Sequence, residues 1–445
     1  MSDILRKIED PTYSFDEIVS DPRFTKVYQL NKQIFNQLNK YLQPHYMELL
    51  NHSLSPRNTT LELNCYEIII CGEKTLMEPI IKSSEFQIRA NEIINNQNST
   101  SYLIGRLSHI MLSSFIVLPE LSIQNFSFIF KLLPFHYDSN VRDLFSKILS
   151  IEGCFSDVQK WLLKIGFIDQ LIIELKTIDF DHFSNEETLY FDITFEKSSA
   201  LYYFLRKCLL SSVFESRLLC EDVIEFLLKT FPNPPLYVEN ARWETILAFT
   251  NNKTSKKLLP VVSVAVEMVH KEMESLPMYV VFAIRMISKM MNYSPKAADI
   301  VFESRIQIDI MNLVSKFSSC TGLVKSFYCF IEASLKYPKE FTPVMLPVLL
   351  PFLLGYSRSG VSKSLVPFFM SILEKIDEAA QKNKNIKKAI LAEEGCCEFM
   401  NCEYIQYRKI FYGRYGDDVE LTTQDEPEQK STIEYKITDT IHKYF

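Results

Sequence analysis

Apolar positions recur along this chain with the period of amphipathic helices, and residues 157–176, DVQKWLLKIGFIDQLIIELK, show it most clearly. Two apolar runs flank a glycine: Val158, Trp161, Leu162 and Ile165 precede Gly166, and Ile168, Leu171, Ile172 and Leu175 follow it. Because the apolar face resets abruptly, we predict that Gly166 is a left-handed cap where one helix ends and the next starts at a sharp angle. The alternative is one continuous helix with a tolerated glycine, which costs about 1 kcal/mol relative to alanine.

Helical patterns of this kind recur about every twenty residues and are separated by short breakers. The clearest patterns start at Phe24, Ser101, Ile123, Val141, Ser198, Glu221, Lys257, Met278 and Ile306. The breakers are SPRN from Ser55, FPNPP from Phe231, YSPK from Tyr293 and YPKEFTP from Tyr337. This succession predicts many helices joined by short connections.

Several predicted helices are apolar on more than one side. Residues 278–291 carry a single charge, Arg285, before Lys289. Such a helix must be sandwiched between neighbours, as in the inner layer of a stacked array. Helix pairs that repeat at about forty residues without one global motif are typical of armadillo and HEAT repeats. We therefore predict an all-α fold, an irregular armadillo- or HEAT-like α-solenoid of stacked helix pairs, over residues 1–411.

Composition agrees with helices and excludes several other classes. Only 10 glycines and 19 prolines occur in 445 residues, which argues against β-sandwiches and Rossmann-type enzymes, whose turns need residues that tolerate positive φ. The net charge is −7 with acids and bases interspersed, so we expect no nucleic-acid binding. The densest basic patch, Lys384, Lys387 and Lys388, is interpreted as the solvated face of a helix. Residues 412–445 are polar and acidic, and we predict a flexible C-terminal tail.

The compartment is predicted from the cysteines and from the apolar runs. The N-terminal MSDILRKIED does not have the pattern of a signal peptide, and the ten cysteines are scattered without a C-x-x-C pair. We interpret them as core residues of a reduced cytoplasmic or nuclear protein. The longest uncharged run, FTPVMLPVLLPFLLGYS at residues 341–357, is short and contains three prolines. It predicts a buried helix pair, so we expect no membrane insertion.

A search for chemistry finds no motif that predicts catalysis. GYSRSG at residues 355–360 lacks the lysine of a phosphate loop and the spacing of a nucleophile elbow, and we interpret it as an interhelical turn. Asp179, Asp181 and His182 form the best metal-like group, although such acids commonly cap helices. Cys396, Cys397 and Cys402 lack a fourth ligand at zinc spacing, and His45 and His52 could only share a helix face. We predict no catalytic, cofactor or metal residues, no cofactor and no enzyme activity, and leave the partner-binding residues open.

Six segments occur in an order that carries a resemblance. They are FDEIVSDPRFTKVYQLNKQIFNQLNKYL with Asn31, Ile34 and Leu38; LELNCYEIII with Cys65, Glu67 and Ile68; SYLIGRLSHIML with Leu103, Leu107, Ser108 and Ile110; VRDLFSKILS with Asp143, Leu144, Lys147 and Leu149; VQKWLLKIGFIDQLI with Val158, Trp161, Leu162, Ile168 and Leu171; and FAIRMISKMM followed by VFESRIQIDIMNLVSKF, with Arg285, Ile287 and Ser288. In this order they resemble the SAPS family, over most of residues 14–335. The family's MFW start is replaced by MSDILRKI, residues 177–250 match poorly, and the long acidic or Ser-rich extension is absent beyond the short tail. The chain resembles a divergent, minimal member.

The resemblance implies a regulatory function. SAPS proteins are regulatory subunits of protein phosphatase 6, a type 2A-like serine/threonine phosphatase. It therefore implies a non-catalytic scaffold that binds such a catalytic subunit, together with further scaffold subunits, and directs its activity. A generic armadillo-like adaptor in trafficking or cytoskeletal assembly is the alternative.

Overall fold

The computed structural model describes residues 2–30, 32–71, 73–96, 100–150, 155–181, 192–359, 365–393 and 395–412. Within these ranges the regular secondary structure is helical, with no β-strand. The chain divides into two compact units, residues 1–390 and residues 391–445. The predicted all-α armadillo- or HEAT-like solenoid is confirmed. The predicted boundary at residue 411 stays a prediction, and the tail from residue 413 lies outside the described residues.

The first half of the chain forms the following helices. They are α1 Ser2–Glu9, α2 Phe15–Val19, α3 Phe24–Leu30, α4 Lys32–Leu42, α5 Tyr46–Ser53, α6 Thr60–Ile70, α7 Lys74–Lys82, α8 Ser84–Asn95, α9 Ser101–Val117, α10 Pro119–Asn125, α11 Ser139–Ile148, α12 Ser156–Lys164, α13 Phe167–Lys176, α14 Ile193–Leu210 and α15 Ser212–Leu218. Two 3-10 helices, Gln43–His45 and Ser127–Phe135, lie between them.

The second half continues the series. Its helices are α16 Glu221–Leu228, α17 Leu236–Phe249, α18 Ser255–His270, α19 Met278–Tyr293, α20 Pro295–Ser304, α21 Gln307–Lys316, α22 Thr321–Ser334, α23 Pro338–Glu340, α24 Leu346–Ser359, α25 Val366–Lys382, α26 Lys384–Ala392, α27 Cys396–Phe399 and α28 Ile405–Tyr412. A π-helical turn, Phe341–Met345, joins α23 to α24, and a second, Met400–Tyr404, joins α27 to α28.

Successive helices of residues 1–390 stack in three rows. In the central row each helix packs on the next, in the order α3, α6, α9, α11, α14, α17, α19, α22, α25. A second row runs through α4, α7, α10, α12 and α15, and a third row through α8, the Ser127–Phe135 helix, α13, α16, α18 and α21. Over much of this unit, successive helices join the central, second and third rows in turn. Apolar side chains on two sides of one helix are therefore covered by neighbours.

The repeat length is visible in hydrogen bonds between neighbouring helices of the central row. Tyr66 and His109 are bonded 43 positions apart, and Asn240 and Tyr279 are bonded 39 apart. These spacings agree with the predicted repeat of about forty residues. One step is longer, because Ser146 of α11 and Tyr203 of α14 are bonded 57 positions apart, with residues 177–192 between α13 and α14.

A cluster of buried phenylalanines joins the three rows. The ring centroid of Phe145 on α11 lies 5.5 Å from that of Phe167 on α13 and 5.7 Å from that of Phe204 on α14. Phe167 in turn lies 6.0 Å from Phe214 on α15. All four side chains are completely buried. Aromatic pairs at these distances stabilise the fold beyond the effect of the area that they bury. This cluster therefore stabilises the packing of the three rows against one another.

The predicted corner at Gly166 is confirmed. Helix α12 ends at Lys164, and Gly166 follows with φ 88° and ψ 29°, the left-handed region. Its N–H donates to the Leu163 carbonyl at 3.2 Å, which satisfies one open acceptor at the end of α12. The turn sends α12 into the second row against α10 and α15, and α13 into the third row against α16.

Two predicted local structures differ from the fold. Residues 341–357 do not form a helix pair, because the π-helical turn Phe341–Met345 runs directly into α24. Pro351 lies inside α24, and the helix continues past it. Residues 355–359 of GYSRSG are the end of α24 and not an interhelical turn, while Gly360 lies outside the described residues.

Candidate interaction surface

Among the described residues of this unit, the helices of the central row pack laterally on two neighbours and, on another side, against helices of the flanking rows. On the remaining side no other row of described helices packs against them. Half-buried tyrosines recur on six of these helices: Tyr66, Tyr102, Tyr203, Tyr237, Tyr279 and Tyr328. We call this side the tyrosine face. Tyrosine combines a large apolar ring with a polar hydroxyl, and it is enriched in protein–protein interfaces.

At the start of the tyrosine face, a buried arginine fixes two tyrosines. The guanidinium carbon of Arg106 lies 4.1 Å from the ring centroid of Tyr102 and 5.1 Å from that of Tyr66. Arg106 Nη1 also donates to the Ser53 carbonyl at 3.0 Å, at the end of α5. Burial lowers the pKa of Arg106. Because this side chain is almost fully buried, it organises packing and is not available to a partner.

The middle of the tyrosine face carries two cations on α14. Arg206 forms an ion pair with Glu244 of α17. The ring centroid of Tyr203 lies 5.8 Å from the Arg206 guanidinium carbon and 5.3 Å from Lys207 Nζ. The Tyr203 hydroxyl is 2.7 Å from Ser146 Oγ, which holds the ring in place. Arg206 and Lys207 are therefore arranged around one fixed aromatic ring.

Two further cations approach from α19. Lys289 Nζ donates to the Leu247 carbonyl at 3.2 Å, near the end of α17. Arg285 precedes Lys289 by one helical turn, so the two side chains share a face. Burial and the nearby positive charge of Arg285 both lower the pKa of Lys289. The contribution of Arg285 to this shift is consistent with two cations that lie close together on α19.

Two of these four cations contact α17. Glu244 contacts Arg206, and the Leu247 carbonyl contacts Lys289, so these two contacts lie about one helical turn apart along α17. We call Arg206, Lys207, Arg285 and Lys289 the cationic cluster. Among the described residues, Glu244 is the one carboxylate that forms an ion pair with it.

Comparisons with known proteins support the fold alone. No family model matches the chain, and no curated protein matches it. Among solved structures, the crystal structure of an engineered protein from a structural genomics consortium is similar, with a TM-score of 0.53 and 12% sequence identity. The match covers 92% of this chain and 95% of that chain. At this identity the similarity carries no information about function.

The candidate metal group of the sequence is only partly described. Asp179 and Asp181 are exposed, and Asp179 Oδ1 accepts the backbone N–H of Asp181 at 3.0 Å, so Asp179 closes a local turn. The cap of α14 is Asp192, which accepts the Thr194 N–H at 2.7 Å. His182 lies outside the described residues. Across the described ranges no three His, Cys, Asp or Glu side chains are grouped in a way that could hold a metal ion.

The histidines, tryptophans and lysines that the sequence singled out are described by their packing and exposure. His45 directly precedes α5 and His52 lies near its end, and both rings stack on the ring of Phe15. The distances from the Phe15 ring centroid are 5.1 Å to His45 and 6.2 Å to His52. Trp243 is fully buried, whereas Trp161 is half-buried. The lysines of the basic patch, Lys384, Lys387 and Lys388, are exposed on α26. None of the helices in the described ranges is both long and apolar enough to cross a membrane.

The cationic cluster is not predicted by the sequence. Arg206 and Lys207 lie on α14, and Arg285 and Lys289 lie on α19, so only the packing of both helices on α17 brings them together. One signal was present, because Arg285 and Lys289 are the charges of an otherwise apolar helix. A charge on a helix with apolar sides marks the side that stays exposed.

Proposed function

We propose that this chain is a non-catalytic regulatory or scaffold subunit that binds a type 2A-like serine/threonine phosphatase catalytic subunit, of the phosphatase 6 class, and directs its activity. The observation that carries the scaffold function is the tyrosine face, which continues over α14, α17, α19 and α22. An extended face built from successive layers suits a large partner, because many modest contacts add up over it. Tyrosine and arginine are also the residue types that dominate binding energy at interfaces.

The choice of a phosphatase as partner rests on the resemblance to the SAPS family. Four of the segments that carry it are α6, α9, α11 and α19, all in the central row. The ungapped segment with Trp161 and Gly166 forms the α12–α13 corner behind this row. Four resembling segments thus belong to the row that carries the tyrosine face, whereas α14 and α17 of that row lie in residues 177–250, which match the family poorly. We further propose a cytoplasmic or nuclear location, and binding of additional scaffold subunits without nucleic acid.

Affinity purification of the tagged full chain, followed by mass spectrometry, tests this proposal. A type 2A-like catalytic subunit is expected to co-purify, and its phosphatase rate on phosphopeptides is expected to change when the purified chain is added. Phe282→Ala removes a half-buried ring from the tyrosine face and is expected to reduce recovery several-fold. Val264→Ala, which truncates an exposed side chain of α18 in the third row, is the matched control.

The two candidate functions give different results in this experiment. Recovery of no type 2A-like catalytic subunit contradicts the phosphatase proposal. Recovery of trafficking or cytoskeletal components in its place, with the same loss in Phe282→Ala, favours the generic adaptor. The generic adaptor is tested in the same experiment because the similarity to a solved structure supports the helical fold and no particular partner.

A further inference from the structure

We propose that the cationic cluster binds an acidic segment, rich in Asp and Glu, of a protein partner. This inference rests on the proposed function to the extent that the partner is a protein held on the tyrosine face. It adds the chemistry by which one part of that partner is recognised. It also places the contact on three named helices, α14, α17 and α19.

The balance of charge in the cationic cluster favours an acidic partner. The cationic cluster contains four cations, and one of them, Arg206, forms an ion pair with a carboxylate, Glu244, in a chain whose net charge is −7. Within the described ranges, no carboxylate lies within ion-pair distance of Lys207, Arg285 or Lys289. Elsewhere lysines pair with acids along their own helix, as Lys82 does with Glu78 and Lys229 with Glu225. The cluster therefore keeps positive charge that an acidic partner can neutralise.

The extent of the cationic cluster favours a peptide segment over a single anion. Its cations belong to α14 and α19, which are separated by α17. Packed helices lie about 8–10 Å apart, so the cluster extends over about 16–20 Å. A single phosphate group reaches only one pair of these cations. An extended segment advances about 3.3 Å per residue, so five or six residues with repeated carboxylates match this distance.

Two aromatic rings provide apolar surface next to the cations. Tyr203 lies beside Lys207, and Phe282 precedes Arg285 by one helical turn on α19. Both rings are half-buried, so each presents an apolar edge to the surface. In an extended segment, alternate side chains point to opposite sides. Large side chains interspersed with the acids can therefore contact these rings while the carboxylates contact the cations.

Fluorescence anisotropy on the full chain tests this inference. The probe is a labelled twelve-residue peptide in which Glu and Asp alternate with Leu and Tyr. A second peptide replaces every acid by its amide, and a third carries one phosphoserine as its only acidic group. The variant Lys207→Glu/Arg285→Glu reverses one cation on each side of α17 and removes no described hydrogen bond. Lys256→Glu/Lys296→Glu makes the same change of charge on exposed positions of α18 and α20.

The acidic peptide is expected to bind the wild-type chain and the control variant equally, and the cluster variant at least about tenfold more weakly. Glu244→Gln is expected to tighten binding, because it removes the internal competitor for Arg206. Equal binding by both double variants, no binding of the acidic peptide, or tighter binding of the phosphoserine peptide would each overturn the inference. Failure of the phosphatase pull-down with retained acidic-peptide binding would overturn the proposed function instead.

Discussion

Arg305 has the same left-handed backbone conformation as Gly166, with φ 56° at Arg305 and 88° at Gly166. Each residue lies where one short helix ends and the next begins, α20 and α21 at Arg305, and α12 and α13 at Gly166. The two corners have the same geometry but different residues. Glycine adopts it freely, whereas a side chain with a Cβ is strained there.

We predict that Gly166→Ala lowers the free energy of unfolding by about 1–2 kcal/mol. The cause is conformational and not steric, because a Cβ at this position would have Asp169 Oδ2 as its nearest neighbour at 3.6 Å, an ordinary contact. Urea unfolding of the wild-type chain and the variant, followed by far-UV circular dichroism, measures this difference.

Gly355→Ala is the matched control for this prediction. Gly355 lies inside α24, and a Cβ added at this position would meet no heavy atom within 4 Å. Alanine there is expected to raise the free energy of unfolding by about 0.5–1 kcal/mol, because glycine is the weaker helix former. A loss of similar size in both variants would contradict the conformational explanation.

Arg305→Gly is predicted to stabilise the chain. The substitution stabilises the folded chain by about 1–2 kcal/mol, because it removes the strain of the left-handed backbone. It also stabilises the unfolded chain by about 0.5–1 kcal/mol, because glycine has more backbone freedom there. The net gain in the free energy of unfolding is therefore about 0.5–1 kcal/mol, read from the midpoint of urea unfolding. Arg305→Ala removes the same exposed side chain but keeps the strain. It should show no such gain, and an equal gain in both variants would assign the effect to the side chain.

A corner between two helices can be predicted from the sequence where a glycine coincides with a change of the apolar face. Gly166 shows both a glycine and a reset of the apolar face, whereas at Arg305 the same turn is made by a residue with no preference for it. The apolar run at residues 341–357 misled the prediction, because prolines that usually end helices are tolerated inside α24. The cationic cluster could not be predicted, since it depends on which side of α14 and α19 is left open after packing on α17.

Arg242 and Glu239 form a buried ion pair within α17, and we predict strong coupling between its members. Arg242 donates to Glu239 Oε1 at 2.9 Å and to the Leu227 carbonyl at 3.1 Å. Glu239→Leu leaves the buried guanidinium without its carboxylate, and Arg242→Met leaves the carboxylate without its cation. Each is expected to lower the free energy of unfolding by about 3–5 kcal/mol.

The double variant Glu239→Leu/Arg242→Met provides the control. Because it removes both charges, its loss is expected to be smaller than the sum of the two single losses by about 1–3 kcal/mol. Urea unfolding of the four proteins completes the double-mutant cycle. Additive losses would mean that Arg242 stabilises the fold through its bonds to the carbonyls at the end of α16 and not through Glu239.

His136 is predicted to make stability depend on pH. Its ring is fully buried, with Nδ1 2.6 Å from the Leu133 carbonyl and Nε2 3.1 Å from the Lys197 carbonyl. Burial lowers the pKa of His136 below its usual 6.5, and this outweighs the two carbonyls, which act in the opposite direction. As pH falls below about 6.5, the unfolded chain therefore takes up a proton before the folded chain does.

The stability that neutral His136 supports is present above about pH 6.5 and is lost below it, by about 1.4 kcal/mol for each unit by which folding lowers the pKa. His136→Gln keeps one donor for a carbonyl but does not titrate. Between about pH 7.5 and pH 5.5, wild-type stability is expected to fall more steeply than that of the variant, while the carboxylates titrate alike in both. Urea unfolding at several pH values measures the two slopes. Parallel slopes would show that His136 takes up its proton at the same pH in the folded and unfolded chain, which its burial opposes.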